Sequence, residues 1–227
     1  LEDVRKETVE TPWGKPSSDL VHARLEGVEL VFLARHDEGH RIPPSDINYR
    51  ANIDALKRAG VTDVLSLSAV GSLKEELAPG AFVVVDQFID RSFARKKSFF
   101  SEGCVAHVAM ADPVCSRLSA MAADAAEAAG VETVQRGGTY LVMEGPQFST
   151  RAESQLYRQW GCSVIGMTNM PEAKLAREAE LPYASVSMVT DYDCWRTEDA
   201  DVDISDILKT MHANNAHAHS LVRNLVK

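Results

Sequence analysis

Apolar runs of strand length alternate with segments of helical period along most of the chain, and this alternation restricts the fold more than any other feature. Val28 to Ala34 reads as a strand, and Asp46 to Ala59 as a helix with Ile47, Ala51 and Ala55 four apart and Gly60 as its stop. Val64 to Ser68 is a second strand, running into Ala69-Val70-Gly71-Ser72, and Ala81 to Ile89 is a third. The Ala-rich stretch Ser116 to Ala129, closed by Gly130, is a helix; Gly138 to Glu144 is a fourth strand. Thr150 and Glu153 have the spacing of a capping box and open a helix to about Trp160. Cys162 to Met167 reads as a fifth strand, Pro171 to Glu180 as a helix, Tyr183 to Val189 as the last strand and Ile204 onward as a long amphipathic helix. Such alternation predicts an α/β fold: one domain over residues 1–227, with a central, mostly parallel twisted sheet flanked by helices.

The bulk numbers narrow the partners. At 227 residues with 45% hydrophobic residues the chain can bury a core without staples. A net charge of −9 argues against nucleic-acid binding and a membrane-surface role, although a pocket can be locally positive on an acidic protein. No apolar run approaches the ~18–20 residues of a membrane span, and Leu1-Glu2-Asp3 shows no signal-peptide pattern. Cys104, Cys115, Cys162 and Cys194 form no C-x-x-C pair and suit neither zinc nor a disulfide frame, so they read as reduced cysteines of a cytosolic protein.

In open α/β sheets ligands bind beyond the carboxyl ends of the strands. Arg35-His36, Ser68-Ala69, Met143 to Phe148, Met167-Thr168 and Asp191 to Trp195 all follow strands. Arg35 offers a planar fork of donors for an oxyanion, with an ordinary ion pair as the alternative. His36, Ser68, the backbone at Ala69, and Thr168 could complete a phosphate cradle; the two hydroxyls could equally serve the local backbone. Asp191 and Asp193 would point to one side of an extended segment, where an apolar setting raises a carboxyl pKa and makes a proton donor, or they could cap a turn. His107 between Ala106 and Val108 reads by itself as structural, and Trp195 as packing. His212, His217 and His219 have no metal-ligand spacing; no metal site is expected.

Taken in order, TPWGKPS, LARH, IPPSDINYRANIDALK, SAVGSL, DQFIDR, EGPQFSTRAES, MTNMPEAKLA and YASVSMVTDYDCW resemble the trimeric purine nucleoside phosphorylases, and within them the 5'-methylthioadenosine branch. The resemblance covers nearly the whole chain from about Thr11. It implies a phosphorylase-like fold and phosphorolysis of 5'-methylthioadenosine to adenine and 5-methylthioribose 1-phosphate. It implies no cofactor beyond inorganic phosphate as co-substrate, and a cytoplasmic homotrimer. Arg35, His36, Ser68, Ala69 and Thr168 would hold phosphate. Phe148 would stack near the base or sugar, and Met167 would lie under the ribose. Asp191, with Asp193, would face the purine and protonate N7, and His107 would reach a neighbouring subunit's site.

The 6-oxopurine branch carries Asn where this chain has Asp191. A carboxylate suits a 6-amino donor, so the resemblance points to adenine. Val202, Ile204 and Ile207 would line an apolar pocket for the methylthio group. The family usually has Gly after LARH, where Asp37 and Glu38 stand here; acids beside an anion site weaken it unless they point away. Its Gly-rich phosphate loop would precede Leu1. The alternatives are a phosphorylase of 5'-methylthioinosine or inosine, a phosphate-independent nucleosidase, and a catalytically impaired nucleoside-binding relative.

Overall fold

The computed structural model describes residues 1–196 and 204–227. Three strands, β1 (Glu2–Glu7), β2 (Leu20–Leu25) and β3 (Val28–Phe32), form an antiparallel meander. Leu25 pairs with Val28 across a two-residue turn, Glu26-Gly27, in which both φ values are positive (50° and 81°). That turn matches the twist of its strands. The apolar run at 28–34 therefore belongs to a separate small sheet, a correction to its expected place beside the parallel strands. Val28 and Phe32 remain partly exposed, and an apolar run does not say which sheet it joins.

The central sheet holds β4 (Val64–Ser72), β5 (Phe82–Val85), β6 (Gln87–Asp90), β7 (Val134–Arg136), β8 (Thr139–Val142), β9 (Val164–Gly166) and β10 (Tyr183–Tyr192). Its order is β6-β8-β9-β4-β10-β5-β7. Neighbours are parallel at β6–β8, β8–β9, β4–β10 and β5–β7, and antiparallel at β4–β9 and β5–β10. The single strand expected over 81–89 is divided at Asp86. One residue joins β5 to β6, and Gly137-Gly138 joins β7 to β8, yet each pair of strands lies near opposite ends of the order. Connections this short force the sheet to curl on itself. Hydrogen bonds from the Asp86 N–H to Gly138 O (3.2 Å) and from the Gly138 N–H to Asp86 Oδ1 (3.0 Å) pin the two crossings together.

Helices cover the sheet on both sides. One core joins Val70, Val83, Val85, Tyr140, Val142 and Val189 to α1 (Tyr49–Arg58) and α4 (Asn169–Glu178). Another joins Phe82, Val84 and Val186 to α2 (Ser116–Ala128) and to Leu221 of α5 (Ile204–Leu225). A third packs Tyr157 of α3 (Arg151–Gln159) on Leu73, Leu141, Ile165 and Trp195. The capping box is formed, with the Glu153 N–H donating to Thr150 Oγ1 (3.2 Å) and the Thr150 N–H to Glu153 Oε2 (2.7 Å). Regular helix in α4 begins at Pro171, because Met170 has extended backbone angles.

Asp90, at the end of β6, binds this frame to the loop that follows. It accepts from Ser92 Oγ (2.6 Å) and Lys97 Nζ (2.9 Å) and pairs with Lys174 of α4. Burial opposes its ionisation, but the bonds from Lys174, Ser92 and Lys97 prevail and hold its pKa at about 2. Since the folded value lies below the unfolded one, the stabilisation is present above pH ~4 and is lost as pH falls toward ~2. Asp90→Asn is expected to lower unfolding free energy by about 2 kcal/mol at pH 7, with the gap closing in acid; urea titrations at a series of pH values check this.

Candidate active site

The antiparallel register of β4 and β9 pairs Gly71 with Ile165 and Ser72 with Val164. Continued three residues, it carries Thr168 opposite Ser68, and their Oγ atoms lie 3.5 Å apart. The Ser68 hydroxyl donates to Asn169 Oδ1 (3.1 Å), and Asn169 in turn donates to Ser185 Oγ. All four residues are buried. β4 runs on to Ser72, so Ser68 stands at its middle and not at the end expected of it; because its one hydrogen goes to Asn169, it presents lone pairs there. Thr168 uses its side chain for no helix cap, which leaves its hydroxyl available. Ala69 is exposed in β4.

Arg35 is held more tightly than a surface residue would be. Its Nε donates to Glu172 Oε2 (2.7 Å), while Nη2 donates to Glu172 Oε1 (3.0 Å) and Ser66 Oγ (2.6 Å). Tyr183 Oη donates to Glu172 Oε1 (2.8 Å). Burial works against the guanidinium charge, and the Glu172 carboxylate more than offsets it, holding Arg35 above its ordinary pKa. Nη1 has no partner among the described residues and remains for a ligand.

His36 must donate from Nδ1, since its partner is the Ile42 carbonyl at 2.8 Å. Burial lowers its pKa, so the ring is neutral at pH 7 and Nε2 carries a lone pair. The donor role expected of His36 is thus taken up by the Ile42 carbonyl. His40 stacks on the ring at 4.1 Å. The two acids beside it are paired elsewhere: Asp37 with Arg41 (2.6 Å) and Glu38 with Lys6 of β1 (2.9 Å).

The aspartates meet at the end of β10. Val189 pairs with Val70 and Asp191 with Gly71, so Thr190 is an extra residue that bulges the strand. The bulge brings the two carboxyl-bearing side chains over Gly71, where an added β-carbon would lie 3.4 Å from Asp191 Oδ2 and 3.5 Å from Asp193 Cβ. Asp191 Oδ1 accepts from Thr190 Oγ1 (2.7 Å). Burial, with a smaller contribution from the Asp193 charge, raises the Asp191 pKa to about 6 despite that hydrogen bond. Burial also raises Asp193, whose Oδ2 is without a hydrogen bond among the described residues.

Phe148, in the loop after β8, is half exposed and offers a free aromatic face. Met167 packs its sulfur against Gly145. His107 is exposed on the loop between β6 and α2 and makes no hydrogen bond to the strand-end residues. Ile207 is half-buried on α5. Ile204 begins that helix, but its side chain and all of Val202 lie outside the described residues. Trp195 packs, as its sequence setting suggests, with its Nε1 donating to Ser72 O (2.8 Å) and Arg158 stacked over its ring at 3.6 Å.

One residue in the surroundings of the site carried no mark in the sequence. Arg95 sits in a basic run that reads as a solvated loop, yet its side chain is 1% exposed. Nη1 donates to Met167 O (2.5 Å) and Met170 O (2.6 Å), and Nη2 to Glu144 O (2.7 Å) and Met143 O (3.3 Å). Nε lies 3.8 Å from the Glu144 carboxylate, which accepts from Ser45 Oγ and the Phe93 N–H, both at 2.7 Å. One guanidinium thus ties the loop leading to Phe148 to the loop carrying Met167 and Thr168.

Comparison with known proteins identifies the family and the fold. The sequence pattern of the phosphorylase superfamily matches residues 1–227. S-methyl-5'-thioadenosine phosphorylase of Cereibacter sphaeroides is 64% identical over 99% of this chain and 77% of its own length. The protein of that name from Bradyrhizobium diazoefficiens is 59% identical over 100% and 78%. Among solved structures, a methylthioadenosine phosphorylase sourced from an antarctic soil metagenomic library superposes with a TM-score of 0.94 at 46% identity, covering 99% of this chain and 79% of that one. Methylthioadenosine phosphorylase from Schistosoma mansoni in complex with adenine superposes with a TM-score of 0.95 at 37% identity, covering 100% and 85%.

A lysine cannot reproduce the planar fork of Arg95. Arg95→Lys is expected to leave several of the carbonyls at 143, 144, 167 and 170 unpaired and to cost about 3 kcal/mol of stability, read from the urea midpoint.

Proposed function

The chain belongs to the phosphorylase superfamily, and from that premise we propose that it splits the N-glycosidic bond of 5'-methylthioadenosine with inorganic phosphate, releasing adenine and 5-methylthioribose 1-phosphate. The observation that carries this reading is Asp191, a partly buried carboxyl over Gly71 at the end of β10, with its pKa raised to about 6. A carboxyl so placed can give a proton to purine N7 as the C1'–N9 bond lengthens, which removes the charge from the departing base. Its oxygen also accepts from a 6-amino group, where it would repel a 6-oxo oxygen. Asp193, raised by burial as well, shares the purine side.

Phosphate binds in this reading at Arg35 Nη1, Thr168 and the backbone at Ala69, with Ser68 and His36 as acceptors for its hydroxyl proton. One phosphate oxygen attacks C1' as the sugar gains cationic character, and the anion stabilises that charge. The proton lost by Asp191 to the base is restored by the one phosphate gives up on becoming an ester. The pairing of Asp37 and Glu38 with Arg41 and Lys6 supports an anion site beside them. Phe148 covers the base or sugar and Met167 lies beneath the ribose. Ile207, half-buried on α5, offers apolar surface that in this reading favours a methylthio group over a hydroxyl by ~1–3 kcal/mol.

The same reading makes the enzyme a cytoplasmic homotrimer in which His107 enters a neighbour's site. Exposed His107 stands in the chain between exposed Val105 and Val108, the kind of apolar surface that subunits cover. The four cysteines are free, in keeping with a reducing compartment.

Adenine release from 5'-methylthioadenosine is expected to require phosphate. Release without phosphate would make the protein a nucleosidase, and faster turnover of inosine would move it to the 6-oxopurine branch. Asp191→Asn is expected to lower kcat/KM for the adenine nucleoside by ~10²–10⁴. The protonated acid is present in the free enzyme below pH ~6, so the Asp191-dependent limb of kcat/KM falls as pH rises through about 6 and is absent from Asp191→Asn. An unchanged pH profile in the variant refutes the acid assignment.

A further inference from the structure

Tyr140 of β8 is fully buried, yet its hydroxyl has no hydrogen-bond partner among the described residues. A buried hydroxyl left unpaired costs stability, and phenylalanine would supply the same ring to Phe88, whose centroid lies 5.9 Å away. The surrounding structure nevertheless accommodates the oxygen: a β-carbon on Gly166 would collide with it, so β9 carries glycine where the phenol crosses. The hydroxyl and backbone of Thr168 are its nearest polar influences, with the charges of Arg35 and Glu172 beyond them, although no contact meets hydrogen-bond geometry. The hydroxyl therefore lies beside Thr168, beneath the proposed anion cradle.

Counting hydrogens shows what it can do. Ser68 gives its hydrogen to Asn169, so in the Ser68–Thr168 contact of 3.5 Å only Thr168 has a hydrogen to give. Turning that hydrogen toward an anion swings a lone pair of Thr168 Oγ1 toward the Ser68 side, where another donor can reach it. Tyr140 is the unemployed donor beside it. Burial pushes the phenol up to about 12, so its hydrogen is retained at neutral pH.

We propose that Tyr140 is a positioning residue of the phosphate site: its hydroxyl donates to Thr168 Oγ1 and so directs the Thr168 hydrogen to the bound anion. This rests on the phosphorolysis reading above. The test is calorimetric titration with inorganic phosphate, alongside steady-state kinetics, on the full chain, Tyr140→Phe, Thr168→Val and the double variant. Tyr140→Phe is expected to weaken phosphate binding and raise KM for phosphate about tenfold, with kcat within about threefold and the melting temperature of the phosphate-free protein undiminished. In the Thr168→Val background the same change is expected to add nothing. Unaltered phosphate binding in Tyr140→Phe overturns the proposal, and so does an equal loss in both backgrounds. Failure of the unaltered protein to bind phosphate overturns the phosphorolysis reading itself and this proposal with it.

Discussion

A guanidinium taken out of water must find acceptors for all its donors or destabilise whatever surrounds it. Arg95 resolves that demand with main-chain carbonyls from two separate loops, and much of the site's shape follows from this. Met143 and Glu144 end β8; Met167 and Met170 bracket the entry to α4. Neither loop has regular secondary structure to hold it, and each gains its place from the same cation. Glu144 supplies the nearby negative charge and in turn fastens Ser45 and the Phe93 N–H. Asp90, bridging Lys97 and Lys174, anchors the segment that delivers Arg95.

The two halves of the site use burial in opposite ways. Around Arg35 burial is answered by charge pairing: Glu172 neutralises the guanidinium and directs it, and Tyr183 holds Glu172. Around Asp191 burial goes unanswered by any cation among the described residues, and the carboxyl keeps its proton to about pH 6. In the proposed reading an anion binds on the first side and a neutral acid acts on the second, although the side chains involved lie along neighbouring strands, β4 and β10. Phosphate attack and protonation of the departing base call for that division.

Periodicity made most helices legible, because each has an apolar face and a readable stop or cap. Thr150 and Glu153 announced α3 through side-chain chemistry, and the structure has both bonds. Long apolar runs announced strands but not their partners, so the run at 28–34 was legible as a strand and its sheet was not. Asp86 divides an apolar stretch that shows no other break, and only the pairing with Gly138 reveals two strands there. Strand β1 is polar and largely exposed, and β2 is partly buried without a strict alternation to mark it. Asp191, Thr168 and Arg35 were visible because they sit at or just past strand ends inside ordered motifs; Ser68 shared the motif although its strand continues to Ser72. Arg95, Glu172 and Tyr140 were not singled out, since nothing in a linear sequence distinguishes a buried arginine among basic neighbours, or a tyrosine whose hydroxyl matters from one whose ring alone packs.

The bulge at Thr190 separates two tasks along one strand. From Tyr183 to Val189, β10 keeps strict step with β4, and its alternation serves the packing of helices on either side. Past Thr190 the pairing resumes one residue out of step, Asp191 opposite Gly71 and Tyr192 opposite Ser72, and the side chains of Asp191 and Asp193 gather over Gly71. A strand divided in this way is evolvable in sections. Side chains beyond the irregularity can be exchanged, altering which base is accepted, while the register that assembles the interior passes unchanged from one descendant to the next.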